Sequence, residues 1–156
     1  MSVVDYALLQ EQLLSLAAED AWFLPLLSNA SALLCQTLPN VNWAGFYLVR
    51  GSRLTLGPFQ GKTACIHIPF GRGVCGAAWR DNETKRVDDV HAFPGHIACD
   101  GASNAEIVIP LRAGDHVAAV LDIDSPLFDR FTEEDQRGLE RFARLLEENI
   151  SWEDTP

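Results

Sequence analysis

Helical patterns at the two ends of the chain enclose a run of short β-type segments, and this arrangement most limits the possible folds. Residues 3 to 17 place apolar side chains at spacings of three and four, which predicts an amphipathic helix. Thr132 and Asp135 predict a capped helix start, and the apolar stripe from Leu139 to Ile150 predicts the buried face of a C-terminal helix. Helices that flank a set of strands are typical of an α+β domain.

The middle of the chain predicts about six strands. Residues 42 to 49 and 53 to 56 are rich in β-preferring types, and Arg50-Gly51-Ser52 indicates a hairpin turn between them. A second helix is expected from about 28 to 38, after Pro25. Further strands are expected at residues 65 to 68, 86 to 88, 106 to 111 and 116 to 124. We therefore expect an antiparallel sheet with the N- and C-terminal helices packed on one of its faces.

Composition limits the number of domains and the class of partner. A chain of 156 residues with 47% hydrophobic residues can bury one sizeable core, so we expect a single domain over residues 1 to 156. The formal net charge of -10 disfavours nucleic acids and anionic membranes as partners. The N-terminus lacks the basic flank and apolar run of a secretion signal. We expect a soluble cytoplasmic protein.

Four cysteines without a secretion signal favour thiols in a reducing compartment over a disulfide framework. Cys35 lies in the apolar register of a predicted helix, which is typical of a core residue. Cys99 lies in a polar loop of 15 residues from 89 to 103, and loops of this length are often functional. Its thiol is a candidate reactive group, whereas Cys65 and Cys75 fit a core or a reactive role equally well.

The segment from Gly71 to Gly76 matches the glycine pattern of dinucleotide-binding loops. That motif requires a βαβ unit of about 30 residues, and the helical stretch here ends near Trp79. We therefore favour a simpler role, in which the glycines allow a tight turn into a helix start. A thiolate at Cys75 would be favoured by the helix dipole there.

Histidines and cysteines raise the alternative of a zinc site. Zinc sites generally take their ligands in close pairs from one turn, and no C-x-x-C pair is present. The spacing therefore disfavours a metal site. The residues considered are His67, His91, His96, Cys65, Cys75 and Cys99.

Glu106, Asp122 and Asp124 form a second group of candidates. Asp122 and Asp124 are two residues apart on a predicted strand, so their side chains point to the same face. Paired carboxylates suit an ammonium ligand, and one with a raised pKa could donate a proton. The alternative is an exposed strand edge, which the apolar neighbours of these residues disfavour.

Six segments, which together cover most of the chain from residue 42 onward, are similar to one known family. They are residues 42 to 47, 57 to 61, 65 to 75, 88 to 100, 103 to 106 and 121 to 126. The spacing of three cysteines and the loop His96-Ile97-Ala98-Cys99-Asp100 are the most specific parts. These segments resemble the free methionine-R-sulfoxide reductases, a family built on the GAF fold.

The resemblance implies roles for the three cysteines. Cys99 corresponds to the nucleophile, Cys65 to the residue that resolves it, and Cys75 to an assisting or substituting thiol. The implied reaction reduces free L-methionine-R-sulfoxide through a sulfenic acid and a disulfide, with thioredoxin as the reductant and no metal or organic cofactor. The family also suggests a homodimer.

The same resemblance implies the substrate pocket. Trp43 and Tyr47 are expected to line the methyl-sulfoxide end, and Glu106, Asp122 and Asp124 are expected to bind the polar groups of the substrate. Two alternatives stay open. One is a GAF sensor that binds a small molecule without turnover, and the other is a reductase for protein-bound methionine sulfoxide.

Overall fold

A single antiparallel sheet organises the chain. The computed structural model describes residues 3–96 and 101–153. Within them, the strands lie in the order β3-β2-β1-β6-β5-β4, and every neighbouring pair is antiparallel. The bounds are β1 (Trp43–Arg50), β2 (Arg53–Gly61), β3 (His67–Pro69), β4 (Lys85–Val87), β5 (Ala105–Ala113) and β6 (His116–Ser125). The predicted α+β fold with about six strands is confirmed, and this antiparallel sheet contains no βαβ unit among the described residues.

Three helices cover one face of this sheet, and a shorter helix lies on the other. The helices are α1 (Tyr6–Glu19), α2 (Phe23–Thr37), α3 (Gly73–Asp81) and α4 (Glu133–Asn149), with a 3-10 turn at Val90–Ala92. α1 packs on α2 and α4, α2 packs on β1 and β2, and α4 packs on β5. In the part of the chain that the structure describes, no helix is both long and apolar enough to cross a membrane.

Alternation along the central strands separates two cores. Phe46, Ile107 and Leu121 are fully buried between the sheet and α1, α2 and α4. On the opposite face, Val108 and Val120 belong to a smaller cluster that includes residues of α3. Successive side chains of a strand point to opposite faces, so alternate residues of these nearly continuously buried strands enter different cores.

Two prolines explain where the predicted element bounds were wrong. α2 begins at Phe23 rather than near residue 28, because Pro25 occupies its first turn, where a missing amide hydrogen costs no helical bond. β2 continues past residue 56 through Pro58, which lies at a register shift between Gly45 and Tyr47 of the partner strand. Such bulges are among the few places where a sheet accepts proline.

The start of α4 confirms the predicted capping box. Thr132 Oγ1 accepts a hydrogen bond from the Asp135 amide at 3.1 Å, and the Asp135 carboxylate accepts one from the Thr132 amide at 3.0 Å. The same carboxylate accepts a hydrogen bond from the Tyr6 hydroxyl and pairs with Arg130 at 3.0 Å. Arg130 also donates to the Pro39 carbonyl at 2.9 Å. This network joins the start of α4 to α1 and to the turn before β1.

Candidate active site

Acidic and aromatic side chains form a row across the three central strands, on the face opposite α1, α2 and α4. Asp124 of β6 lies opposite Trp43 of β1 and opposite Glu106 of β5. One pleat along, Asp122 lies between Gly45 and Val108. The sheet register therefore brings together the three acids that the sequence analysis singled out.

The row forms the floor of a pocket whose walls are α3 and two loops. Gly76 lets α3 pack closely on the turn after β3, since a Cβ there would lie 2.9 Å from the Pro69 carbonyl oxygen. This close packing places the first turn of α3 beside the acids. The lining residues are Trp43, Tyr47, Thr63, Ala64, Ile68, Arg72, Gly73, Val74, Cys75, His96, Ser103, Glu106, Asp122 and Asp124.

The carboxylates lie in a buried environment of like charge. Asp122 is 5% exposed and Glu106 is 8% exposed. Burial raises the pKa of Asp122 well above its usual value, and the nearby carboxylates of Asp124 and Glu106 raise it further. Like charges on facing strands destabilise a sheet, so this arrangement favours a bound cation or a bound proton.

Cys75 lies in the first turn of α3 with its thiol in the same pocket. Its Sγ is 3.9 Å from Oε2 of Glu106. Burial raises the pKa of this thiol well above its usual value, and the charges of Asp122, Glu106 and Asp124 raise it further. The expectation of a dipole-stabilised thiolate at Cys75 is therefore wrong, because burial and three acids outweigh the helix start.

Cys65 has a different chemical state from the other described cysteines. It is disulfide-bonded, whereas Cys35 and Cys75 are free thiols. Cys65 precedes β3 instead of lying in it, since that strand begins at His67. Cys35 packs at the margin of the core between the sheet and the helices, in agreement with its predicted structural role.

Two stacked aromatic residues hold the segment that carries Cys65. The rings of Trp43 and Tyr47 are 5.9 Å apart and 21° from parallel. Trp43 Nε1 donates to the Lys62 carbonyl at 3.1 Å, and the Tyr47 hydroxyl donates to the Cys65 carbonyl at 3.0 Å. These side chains thus form a wall of the pocket and also anchor the backbone of residues 62 to 65.

Cys99 falls in residues 97–100, which lie outside the described residues. The described residues on either side of this segment have defined anchors. Asn104 accepts a hydrogen bond from the Val90 amide at 2.9 Å, and its side chain contacts His91 Nε2 at 2.9 Å. The Gly95 carbonyl accepts a hydrogen bond from the Gly73 amide at 3.1 Å. The described chain that precedes the segment with Cys99 is therefore hydrogen-bonded to the start of α3.

The sequence analysis assigned no role in the pocket to several residues that the structure places at it. Arg72, at the start of α3, places a cationic side chain at the pocket, and His96 and Ser103 line it as well. Asn104 anchors the loop by its hydrogen bonds, as described above. Polar residues in loops give no periodic signal, so only their position within or beside motifs such as Gly71-Arg72-Gly73 could have suggested them.

The ligand set considered for zinc is not brought together. Among the described residues, the side chains whose potential ligand atoms lie within 4.8 Å of one another are Cys75, Glu106 and Asp122. None of the three candidate histidines belongs to this group. His67 instead contacts Thr55 at 3.5 Å across the edge of the sheet.

Comparison with known proteins identifies the family. The GAF domain profile matches residues 25–151. The free methionine-R-sulfoxide reductase of Escherichia coli (strain K12) is 52% identical over 149 residues, which cover 96% of this chain and 90% of that protein. The chain belongs to the free methionine-R-sulfoxide reductases, within the GAF domain family.

Solved structures of free methionine-R-sulfoxide reductases share the fold described above. The enzyme from Staphylococcus aureus, solved in complex with substrate, superposes with a TM-score of 0.92 at 45% identity and covers 97% of this chain and 99% of its own. The enzyme from Neisseria meningitidis, also in complex with its substrate, gives 0.91 at 40% identity, with 96% and 93% covered. The pocket therefore lies in a free methionine-R-sulfoxide reductase fold.

Proposed function

We propose that the protein reduces free L-methionine-R-sulfoxide to methionine in the pocket between the sheet and α3. The observation that carries the proposal is the row of three acids, two of them buried, beside a stacked aromatic wall and next to a disulfide-bonded cysteine. A free amino acid carries an ammonium group, which these acids would bind, and a peptide-bound methionine lacks that charge. The named relatives and their substrate complexes support the same substrate.

The charges around the pocket favour one orientation of the substrate. Glu106 and Asp124, directly opposite each other on β5 and β6, would hold the ammonium group. Trp43 and Tyr47 would contact the methyl-sulfoxide end, where a fixed aromatic wall can distinguish the two configurations at sulfur. Arg72 and the first turn of α3 would face the carboxylate, because a cation and a helix start both favour an anion.

In the proposed reaction, the thiolate of Cys99 attacks the sulfur of the sulfoxide and the sulfur-oxygen bond breaks. Asp122 is the proton donor to the departing oxygen, supported by the burial that raises its pKa. The protonated oxygen is transferred to the Cys99 sulfur as the bond between that sulfur and the substrate sulfur breaks, so methionine leaves and Cys99 becomes a sulfenic acid. Cys65 attacks this sulfenic acid to form a disulfide and release water. Two thiols are oxidised and one sulfoxide is reduced, so the electrons balance.

An external dithiol must then reduce the disulfide. We propose thioredoxin for this step, acting by thiol-disulfide exchange in the cytoplasm. The disulfide-bonded state of Cys65 supports its role as the resolving residue. Cys75 keeps an assisting role, because its buried thiol has a raised pKa and is a poor nucleophile at neutral pH. The homodimer suggested by the family can be checked by light scattering.

A thioredoxin-coupled assay with separated diastereomers tests the proposed function. We expect turnover of free methionine-R-sulfoxide and little or none of the S diastereomer or of N-acetylated substrate, which lacks the ammonium charge. Equal rates on both diastereomers would disprove the pocket geometry. Binding without turnover by the fully reduced protein would instead favour the sensor alternative, and turnover of the acetylated form would favour a peptide-repair reductase.

A further inference from the structure

We propose that Cys75, Glu106 and Asp122 form a binding site for a divalent metal ion of the zinc class. The potential ligand atoms of these three side chains, one sulfur and two carboxylate oxygens, all lie within 4.8 Å of one another. They come from α3, β5 and β6, three elements that the tertiary fold brings together. The site would have three protein ligands and an open position toward the pocket.

The distance between ligand atoms fits this size of ion. In a tetrahedral zinc site, bonds of about 2.3 Å to sulfur and about 2.0 Å to oxygen separate the two ligand atoms by about 3.5 Å. The observed distance from Cys75 Sγ to Glu106 Oε2 is 3.9 Å. A small side-chain rotation would close the difference, so the backbone positions need no change.

A second observation, at Asp122, supports a cation site. Oδ1 of Asp122 is buried and has no hydrogen-bond partner among the described residues, while its side chain lines the pocket. A buried carboxylate oxygen that accepts no hydrogen bond is costly, and either a proton or a cation satisfies it. Asp122 as a whole is only 5% exposed, so bulk water is a poor substitute.

The mixed donor set selects the type of metal. Sulfur and carboxylate donors together suit zinc and cobalt, whereas magnesium and calcium prefer oxygen alone. Binding forms metal-sulfur and metal-oxygen bonds and releases the protons of the Cys75 thiol and the Asp122 carboxyl to solvent, with no change of oxidation state. On the proposed function, Glu106 also binds the substrate ammonium, so the metal would compete with substrate and inhibit turnover.

Cobalt titration of the oxidised full-length protein tests the metal site directly, without an activity measurement. With the disulfide at Cys65 intact, Co²⁺ should give a thiolate-to-cobalt charge-transfer band that saturates at one equivalent and disappears when Zn²⁺ is added. Cys75→Ser should abolish the band, and the matched control Cys35→Ser should retain it. No band in the wild type, a band in Cys75→Ser, or loss of the band in Cys35→Ser would each overturn the proposal.

A second variant tests the carboxylate contribution. Asp122→Asn keeps the shape of the side chain, and circular dichroism would verify that the variant is folded. Loss of a ligand should weaken Co²⁺ binding by more than the roughly 10-fold that outer-shell changes already cost. Unchanged affinity would overturn the three-ligand site.

A competition experiment separates this inference from the proposed function. Free methionine should raise the apparent Kd for Co²⁺ at the Cys75 site more than glycine does, because glycine chelates metal through the same amino-acid group but lacks the side chain. A Cys75-dependent band that methionine and glycine weaken equally would support the metal site and contradict the placement of the substrate. If the band were absent and turnover were normal, the metal site would be contradicted and the proposed function would be supported.

Discussion

The two described cysteines nearest the pocket differ in chemical state: Cys65 is disulfide-bonded and Cys75 is a free thiol. The Cys65 segment is held by the Tyr47 hydroxyl through a backbone bond, so its position does not depend on the sulfur itself. Cys75 is buried among carboxylates that disfavour its thiolate. At the scale of single residues, the raised pKa of Cys75 disfavours its thiolate, and this supports the proposal that Cys65 is the resolving residue.

The proposed order of the cysteines predicts different results for their serine variants. Cys99→Ser should abolish even a single turnover, because the nucleophile acts first. Cys65→Ser should still release about one methionine per chain before it stops, because the resolving thiol acts after the chemical step. Quenched single-turnover assays with reduced protein measure this difference. Cys35→Ser is the matched control, and loss of the burst in Cys75→Ser with its retention in Cys99→Ser would reverse the assignment.

Variants of the three acids should differ in which steady-state constant they change, kcat or KM. Asp122→Asn should lower kcat by roughly 10²-fold or more, because a general acid acts in the transition state. Glu106→Gln and Asp124→Asn should raise KM by roughly tenfold or more with a smaller change in kcat, because they contact the ammonium in the ground state as well. Kinetics on free methionine-R-sulfoxide decide the matter, and near-normal constants for all three variants would place the substrate elsewhere.

At the scale of elements, the helix cap at the start of α4 can be tested by mutation. Thr132→Ala removes the side chain that caps the helix and leaves the Asp135 amide without its partner. We expect a loss of about 1 kcal/mol in the free energy of unfolding. Chemical denaturation measures it. Ser28→Ala is the control, since that exposed hydroxyl bonds back to the Leu24 carbonyl within its own helix, and an equal loss in both variants would argue against the cap.

The elements also show what the sequence could and could not predict. Local sequence patterns predicted the helix and strand order, the hairpins and the capping box, because these depend on neighbours close in the chain. It placed the start of α2 too late, since Pro25 is compatible with a first turn that propensity alone does not mark. It also gave Cys75 the wrong acidity, because the three acids that surround this thiol come from β5 and β6, and their proximity depends on sheet register.

At the scale of the whole molecule, two buried aspartates oppose each other in their effect on stability. Burial would raise the pKa of Asp135, but hydrogen bonds from Thr132 and Tyr6 and the charge of Arg130 outweigh it, and its pKa is lowered. This group stabilises the fold above its unfolded pKa, and the contribution is lost as the pH falls through the folded pKa. Asp122, with a raised pKa, behaves in the opposite way.

Thermal unfolding over a range of pH should reveal this opposition. Between the unfolded value near 3.8 and its raised folded pKa, Asp122 binds a proton in the folded state alone, so stability falls as the pH rises. Asp122→Asn should therefore raise Tm at neutral pH, by roughly 2–4 °C for each kcal/mol regained. Asp135→Asn should lower stability by about 1–3 kcal/mol. A lower Tm for Asp122→Asn at neutral pH would contradict the destabilising effect assigned to Asp122.

The short edge strand after Cys65 has a consequence for how the protein moves. β3 spans three residues at the margin of the sheet, while β1, β6 and β5 form its centre. Elements with few backbone bonds open by local fluctuation, at a much lower free energy than the global unfolding that releases central strands. The reducing protein proposed above would therefore reach the sulfur of Cys65 by transient fraying of this margin, and we expect the amides of the central strands to stay protected from hydrogen exchange.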